Sequence, residues 1–155
     1  MNRYVQAMAA GFVATVVLSL LMLIKGAMGV MPTLNPIIML SGMAHAKMGM
    51  PDVPAVGWLA HFVLGTVVWG GLFVLLYNRL PGKNTLLKGL SFSVLPWLLM
   101  MLFPLPMAGA GIFGLEIGMM APVLTLVMHL IWGAVLGGTY GRLAIRSNSE
   151  TQAAG

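Results

Sequence analysis

The sequence predicts an all-α membrane protein whose fold is a four-transmembrane-helix bundle. Hydrophobic residues make up 59% of the chain and charged residues only 7%, values far outside the range of soluble domains. Charged residues also divide the chain into long uncharged intervals. Four of them exceed the ~20 residues that span ~30 Å of hydrocarbon: 4–24, 53–78, 89–115 and 117–141. Strands are disfavoured because hydrophobicity does not alternate and Leu, Met, Ala and Gly dominate.

The predicted elements lie within one integral membrane domain, residues 1–146. Its spanning helices are expected at about 4–30, 54–78, 86–107 and 119–142. The first resembles a signal peptide, but its apolar run is too long and no small-x-small cleavage site follows, so we expect an uncleaved helix. The polar, small residues of 147–155 predict a disordered cytoplasmic tail.

The uncharged interval 26–46 predicts a shorter element. Pro32, Asn35 and Pro36 interrupt it, and Asn35-Pro36 is typical of an N-cap followed by proline at the first helical position. The apolar residues that remain are too few to span a bilayer. We therefore expect a short helix, 36–48, at the outer surface of the membrane.

The distribution of basic residues predicts the orientation. With four spans, one side of the membrane receives Arg3, Arg79, Lys83, Lys88, Arg142 and Arg146. The other side receives only Lys25 and Lys47. Because cytoplasmic loops carry the excess of Lys and Arg, we expect both termini in the cytoplasm and a multi-pass protein of the bacterial inner membrane.

Two hairpins share an internal pattern. Trp69-Gly70 precedes Tyr77 and Arg79 at the spacing with which Trp132-Gly133 precedes Tyr140 and Arg142. Tyr and Arg suit any helix that enters the cytoplasm, but that rule does not require the Trp-Gly pair. The pattern is therefore compatible either with chance or with two tandem helical hairpins related by an axis along the membrane normal.

The last span carries a row of small residues. Gly133, Gly137 and Gly141 recur every four residues, and the same step backwards reaches His129 and Thr125. On a helix all five lie on one face. Such a face allows close helix contact, either within one chain or between subunits.

Histidines within the spans are the first candidates for a binding site, because ionisable side chains at membrane depth are costly. His61 lies between Gly57 and Gly65, and His129 lies one turn before Gly133. Small neighbours favour axial ligation of a haem. Height above the inner surface can be counted from Arg79 for His61 and from Arg142 for His129. At 1.5 Å per residue the two histidines then differ by about 7 Å in height. The alternative is that each neutral ring bonds a neighbouring helix, His61 to a hydroxyl such as that of Thr66.

A second candidate site is a methionine-rich segment at the outer side. Thioether and imidazole groups suit Cu(I). The candidate ligands are Met39, Met43, His45, Met48 and Met50. With 15 Met in the chain, packing is the alternative role for these side chains.

Several classes of function are excluded or disfavoured. The chain has no Cys, and its eight Lys and Arg form no basic patch with interleaved aromatics, which argues against nucleic-acid binding. It contains no Ser-His-acid set, paired carboxylates or phosphate loop, so we expect no enzyme. Glu116 is a candidate ionisable site, although a carboxylate also suits the start of the following helix.

The Gly- and Met-rich hairpins and the four-span topology resemble small, largely uncharacterised bacterial inner-membrane proteins. The resemblance implies an integral membrane protein and no activity. Two functions remain open. One is an accessory or assembly subunit that packs through its glycine faces against other subunits or a second copy. The other is a protein that binds haem, Cu(I) or a small apolar molecule near the outer leaflet through His45, His61 and His129.

Overall fold

The computed structural model describes residues 2–153, which are helical over most of their length and contain no strand. Four helical segments are long and apolar enough to cross a membrane: Arg3–Ala27, Pro54–Leu76, Thr85–Met107 and Ala121–Ser147. The all-α class and the four predicted segments of spanning length are therefore confirmed. Their order follows the uncharged intervals of the sequence.

Several of these segments are interrupted. The elements in chain order are α1 (Arg3–Ala27), α2 (Pro36–Met48), α3 (Pro54–Val63), a π-helix (Leu64–Val68), α4 (Trp69–Leu76), α5 (Thr85–Leu102), α6 (Pro104–Met107), a 3-10 turn (Ile112–Gly114) and α7 (Ala121–Ala153). The second span thus consists of α3, the π-helix and α4. The third consists of α5 and α6.

The short helix α2 begins and ends where its sequence predicts. The side chain of Asn35 accepts hydrogen bonds from the backbone N–H groups of Ile37 and Ile38, at 3.1 and 3.3 Å. Pro36 occupies the first turn, and Gly49 ends the helix in the left-handed conformation with φ of 67°. Local capping therefore defines both ends of this element.

The ends of the first and last helices differ from the predicted ones. α1 ends at Ala27 rather than near residue 30, because Gly29 and Met31 adopt positive φ values of 66° and 46°. α7 continues to Ala153, whereas a disordered tail was predicted from residue 147. No Gly or Pro follows Gly141 within this helix, so nothing in the sequence stops it. Residues 154–155 of the predicted tail lie outside the described residues.

Small residues set the helix packing. α7 lies between α1 and α5, and α1 also packs on the π-helix and α4. A Cβ added at Gly137 would overlap the backbone oxygen of Thr85, and one added at Gly133 would overlap Gly89. The glycine row of α7 therefore lies directly against α5.

Aromatic rings fill the part of the molecule near Tyr77 and Tyr140, here called the terminal half. The Phe73 ring meets those of Tyr77, Phe92 and Tyr140 nearly edge-to-face, with centroid distances of 5.6, 5.4 and 5.4 Å. The ring centroids of Tyr77 and Tyr140, the tyrosines of the two similar hairpins, lie 5.3 Å apart. Phe73 and Phe92 are almost completely buried. This half is a packed core.

Candidate functional site

The other part of the molecule, here called the far half, contains a cavity of about 390 Å³. All four spans and α2 contribute to its walls, which are mostly apolar. The polar lining side chains are Thr15, Lys25, His61, Thr125 and His129. Methionine and aromatic residues form much of the rest: Met22, Met39, Met100, Met128, Trp69, Phe103 and Trp132. The cavity therefore places two imidazoles in one apolar chamber.

His129 is held in one orientation by its own helix. Its Nδ1 lies 2.8 Å from the backbone oxygen of Thr125. A carbonyl oxygen only accepts, so Nδ1 carries the proton, and in the neutral ring Nε2 is an acceptor. Nε2 forms no hydrogen bond with any other described group. The ring is fixed and its acceptor nitrogen is unused.

His61 is shielded but not paired. Its Nε2 is buried without a hydrogen-bond partner among the described residues, and the same holds for the hydroxyl of Thr66. The ring packs edge-on against those of Trp58 and Phe62, with distances of 6.0 and 5.8 Å between ring centroids. The hydrogen bond between His61 and Thr66 suggested by the sequence is therefore not formed. Leaving a buried nitrogen unpaired lowers the stability of the fold by about 1–3 kcal/mol. A bound ligand or a water molecule that pairs with Nε2 would remove this cost.

Backbone irregularities surround the cavity. The π-helix begins three residues after His61, and a Cβ added at Gly65 would overlap the side chain of Thr15. Pro96 lies inside α5, where it removes one hydrogen bond of the helix, and it also lines the cavity. π-helical turns occur often at functional sites. Here the turn supplies Leu64 and Gly65 to the cavity wall and leads into α4 in the packed terminal half.

The side chain of Lys25 holds the segment that connects α1 to α2 by hydrogen bonds. The ammonium group of Lys25 donates to the backbone oxygens of Val30, Met31 and Leu34, at 3.1, 3.0 and 2.8 Å. These three bonds use all three donors of the group. Lys25 thus holds the segment that precedes α2 across the far end of the cavity.

One side of the cavity is open. α1, α7 and α5 pack side by side, and the π-helix packs on α1. α2 packs along α3, and Leu34 just before α2 clusters with Met101 and Leu105 on α5 and α6. By contrast, α3 has little contact with α5 in the described part of the chain. Both helices line the cavity, His61 from α3 and Leu99 from α5, and the gap between them is the candidate opening.

The cavity does not contain the full set of predicted copper ligands. Met39 lines the cavity, but His45, Met43, Met48 and Met50 do not. The Nδ1 atom of His45 bonds the backbone oxygen of Met50 at 2.8 Å, and Met48 is 73% exposed. Within residues 2–153, no three His, Cys, Asp or Glu side chains form a group that could hold a metal ion.

The glycines beside the histidines do not leave room for a macrocycle. A Cβ at Gly57 would overlap the backbone oxygen of Ile37 on α2, and Gly65 packs on Thr15. Gly133 and the following glycines of its row, Gly137 and Gly141, pack on α5. These glycines bring helices together, so the pattern that suggested haem has a packing explanation.

Glu116 lies away from the cavity. Its side chain is exposed in the connection between the 3-10 turn and α7. Its backbone N–H donates to Ala110. It does not line the chamber that contains the histidines.

Comparison with known proteins identifies a family without a known activity. Residues 1–151 match the family of unknown function DUF6789. The chain belongs to the DUF6789 family. No curated protein and no solved structure matches it. The match covers the whole of the cavity, so the chamber of this DUF6789 protein lies within the family region.

Two polar side chains of the cavity wall, Thr15 and Lys25, are not among the site residues that the sequence of this DUF6789 chain predicts. Thr15 accepts a hydrogen bond from the indole nitrogen of Trp132 at 3.3 Å, and Lys25 ties the connection to α2. Two further rows of small residues, each at four-residue spacing, indicate which helices pack closely together. They are Ala7, Gly11 and Thr15 on α1, and Thr85, Gly89 and Ser93 on α5. Matching them to the glycines of α4 and α7 predicts the helix pairs.

Proposed function

We propose that this protein is a non-enzymatic, multi-pass protein of the bacterial inner membrane that binds a small, largely apolar molecule between its helices. One observation carries the proposal. Two imidazoles with unpaired ring nitrogens, on His61 and His129, line a single apolar cavity. Its volume of about 390 Å³ lies within the range of small-molecule sites. A bound molecule with one polar group would pair the nitrogens that the protein leaves unpaired.

The packing of the glycine row favours ligand binding over an accessory or assembly role. Gly133, Gly137 and Gly141 are buried against α5 of the same chain. They are therefore not accessible to a second subunit. An accessory subunit would have to use a different face of the molecule.

Haem and Cu(I) are the competing ligands. Four cavity methionines and two histidines could offer soft ligands to Cu(I). An absorption spectrum and a metal analysis of the purified protein separate these cases from an apolar molecule. A Soret band or stoichiometric copper that is lost in His129→Gln would contradict the proposal.

The proposed site is tested by filling the cavity. Leu99 lines it, whereas Leu75 is 61% exposed on the outside of the second span. We expect the wild type and Leu75→Trp to copurify with an apolar molecule at a stoichiometry near one per chain. Leu99→Trp should lose it, as measured by mass spectrometry of organic extracts. Equal amounts in the two variants, or no bound molecule in the wild type, would contradict ligand binding in this cavity.

The proposed orientation places both termini in the cytoplasm and the cavity toward the outer leaflet. The six-to-two distribution of Lys and Arg supports it. A reporter that is active only in the periplasm should stay silent when fused after Ser147. An active fusion would reverse the orientation and place the cavity at the inner leaflet.

A further inference from the structure

We infer that the ligand is a lipid-soluble hydroxyl compound, an alcohol or phenol on an apolar body, which enters from the bilayer between α3 and α5 and donates its hydroxyl hydrogen to Nε2 of His129. The inference rests on the proposed function and names the chemical class of its ligand. It follows from the position of the opening and from the hydrogen-bonding capacity of the lining residues.

The opening faces the side surface of the helices rather than their ends. Lys25 holds the segment before α2 across the far end through three backbone oxygens. The packed rings around Phe73 close the opposite end. In the part of the chain that the structure describes, α3 and α5 make little contact with each other. A molecule that enters between two spanning helices comes from the hydrocarbon, so it must be soluble there.

Three lining side chains already use their hydrogen-bond donors within the protein. All three donors of Lys25 are bonded to backbone oxygens. The hydroxyl of Thr125 lies 2.7 Å from the Ala121 oxygen, to which it donates. The indole N–H of Trp132 donates to Thr15. These three donors are therefore not available to a carboxylate or ester that enters the cavity.

The acceptor on His129 is free, because its other nitrogen already donates to Thr125. A ligand gains a hydrogen bond there only if it carries a donor. His61 has no partner that fixes its tautomer, so its Nε2 can be a donor or an acceptor. A hydroxyl group both donates and accepts, so it suits a chamber that offers a fixed acceptor on His129 and a ring of either tautomer on His61. An ammonium group would also donate, but it would share the chamber with the charge of Lys25.

Two probes that differ only in the hydroxyl test the chemistry. The protein in lipid nanodiscs is titrated with para-hexylphenol and with its methyl ether, para-hexylanisole, and the tryptophan fluorescence is followed because Trp69 and Trp132 line the cavity. We expect the phenol to bind about tenfold more tightly, the gain from one hydrogen bond to a fixed acceptor. His129→Leu should abolish this preference. His45→Leu, outside the cavity, should retain it.

The outcomes separate this inference from the proposed function. If the phenol and the ether bind equally, the hydroxyl inference is overturned, while ligand binding in the cavity stands. If neither probe binds, the proposed function fails together with the inference. If His129→Leu does not fold, His129→Phe replaces it, because phenylalanine keeps a flat ring and carries no acceptor nitrogen, and a full preference for the phenol in that variant overturns the role of His129.

A longer tail tests the route. Para-dodecylphenol should bind as tightly as para-hexylphenol at equal concentration in the membrane, because its tail extends through the opening into the lipid. Loss of binding for the longer compound alone would mean that the chamber is closed, and would overturn entry between α3 and α5.

Discussion

The terminal and far halves use the same four spans but are filled in different ways. In the terminal half, Phe73 and Phe92 are almost completely buried among other rings, and glycines bring the helices into backbone contact. In the far half, α3 separates from α5 and leaves a cavity with unpaired imidazoles. A packed core stabilises a fold, whereas unpaired buried polar groups reduce its stability. The terminal half therefore contributes most to the stability of the fold, and the proposed binding site lies in the far half.

The largest expected effect is Gly137→Leu in the terminal half. The new side chain would overlap the backbone of Thr85 and push α5 from α7. We expect a loss in the free energy of unfolding above about 3 kcal/mol, measured as detergent-resistant fold. Gly138 is the matched control on the same helix, since an added Cβ there meets nothing within 4 Å. Gly71 has the same open surroundings and serves as a second control. Equal losses at Gly137 and Gly138 would show that the glycine row does not determine the packing.

Phe73→Ala should have the next largest effect. The ring contacts three others, so its removal leaves a void at the centre of the cluster. The expected loss is ~3 kcal/mol in the free energy of unfolding, measured by chemical denaturation in mixed micelles. Leu75→Ala, two positions away and 61% exposed, should change it little. A similarly small change at Phe73 would remove the contrast between the halves.

Lys25→Met should loosen the far end of the cavity and leave the terminal half unchanged. The substitution removes three hydrogen bonds to backbone oxygens. We expect a loss of about 1.5 kcal/mol and faster amide exchange confined to residues 28–35. Lys47→Met, at an exposed position, is the control. Unchanged exchange in that segment would mean that Lys25 does not hold it.

His61→Leu should have the smallest effect, and with the opposite sign. Leucine removes a buried nitrogen that has no partner among the described residues. The ligand-free protein should gain up to about 1 kcal/mol, seen as a higher melting temperature. A marked loss of stability would show instead that the ring is a structural anchor.

Local signals made parts of this molecule predictable. Asn35, Pro36 and Gly49 define α2 within a few residues, and uncharged intervals define the spans. The cavity was not predictable in the same way. Heights counted at 1.5 Å per residue treat helices as straight rods, which placed His61 and His129 at different levels. A π-helix lies between His61 and Arg79, from which the height of His61 was counted, and this irregularity is not readable from periodicity.

The position of Lys25 shows a second limit. Its partners lie five to nine residues further along the chain, in a turn that no helical or strand period describes. The continuation of α7 past residue 147 shows a third, since polar and small residues do not stop a helix when Gly and Pro are absent. In each case the missing information was the path of the backbone rather than the character of the side chains.

The π-helix between His61 and Trp69 also determines how far His61 is rotated about the helix axis relative to the aromatic cluster. Each residue of an α-helix turns the chain by about 100°, so one residue more or less between two sites rotates one site against the other. The five residues Leu64–Val68 therefore act as an angular spacer between the imidazole and the aromatic cluster. Because a π-turn holds about one residue more than an α-turn, deleting one residue would let the helix close into a regular α-helix with His61 on nearly the same side. A regular α-helix over all five residues would instead turn His61 by about 100°, so the wide turn decides which surface the imidazole serves.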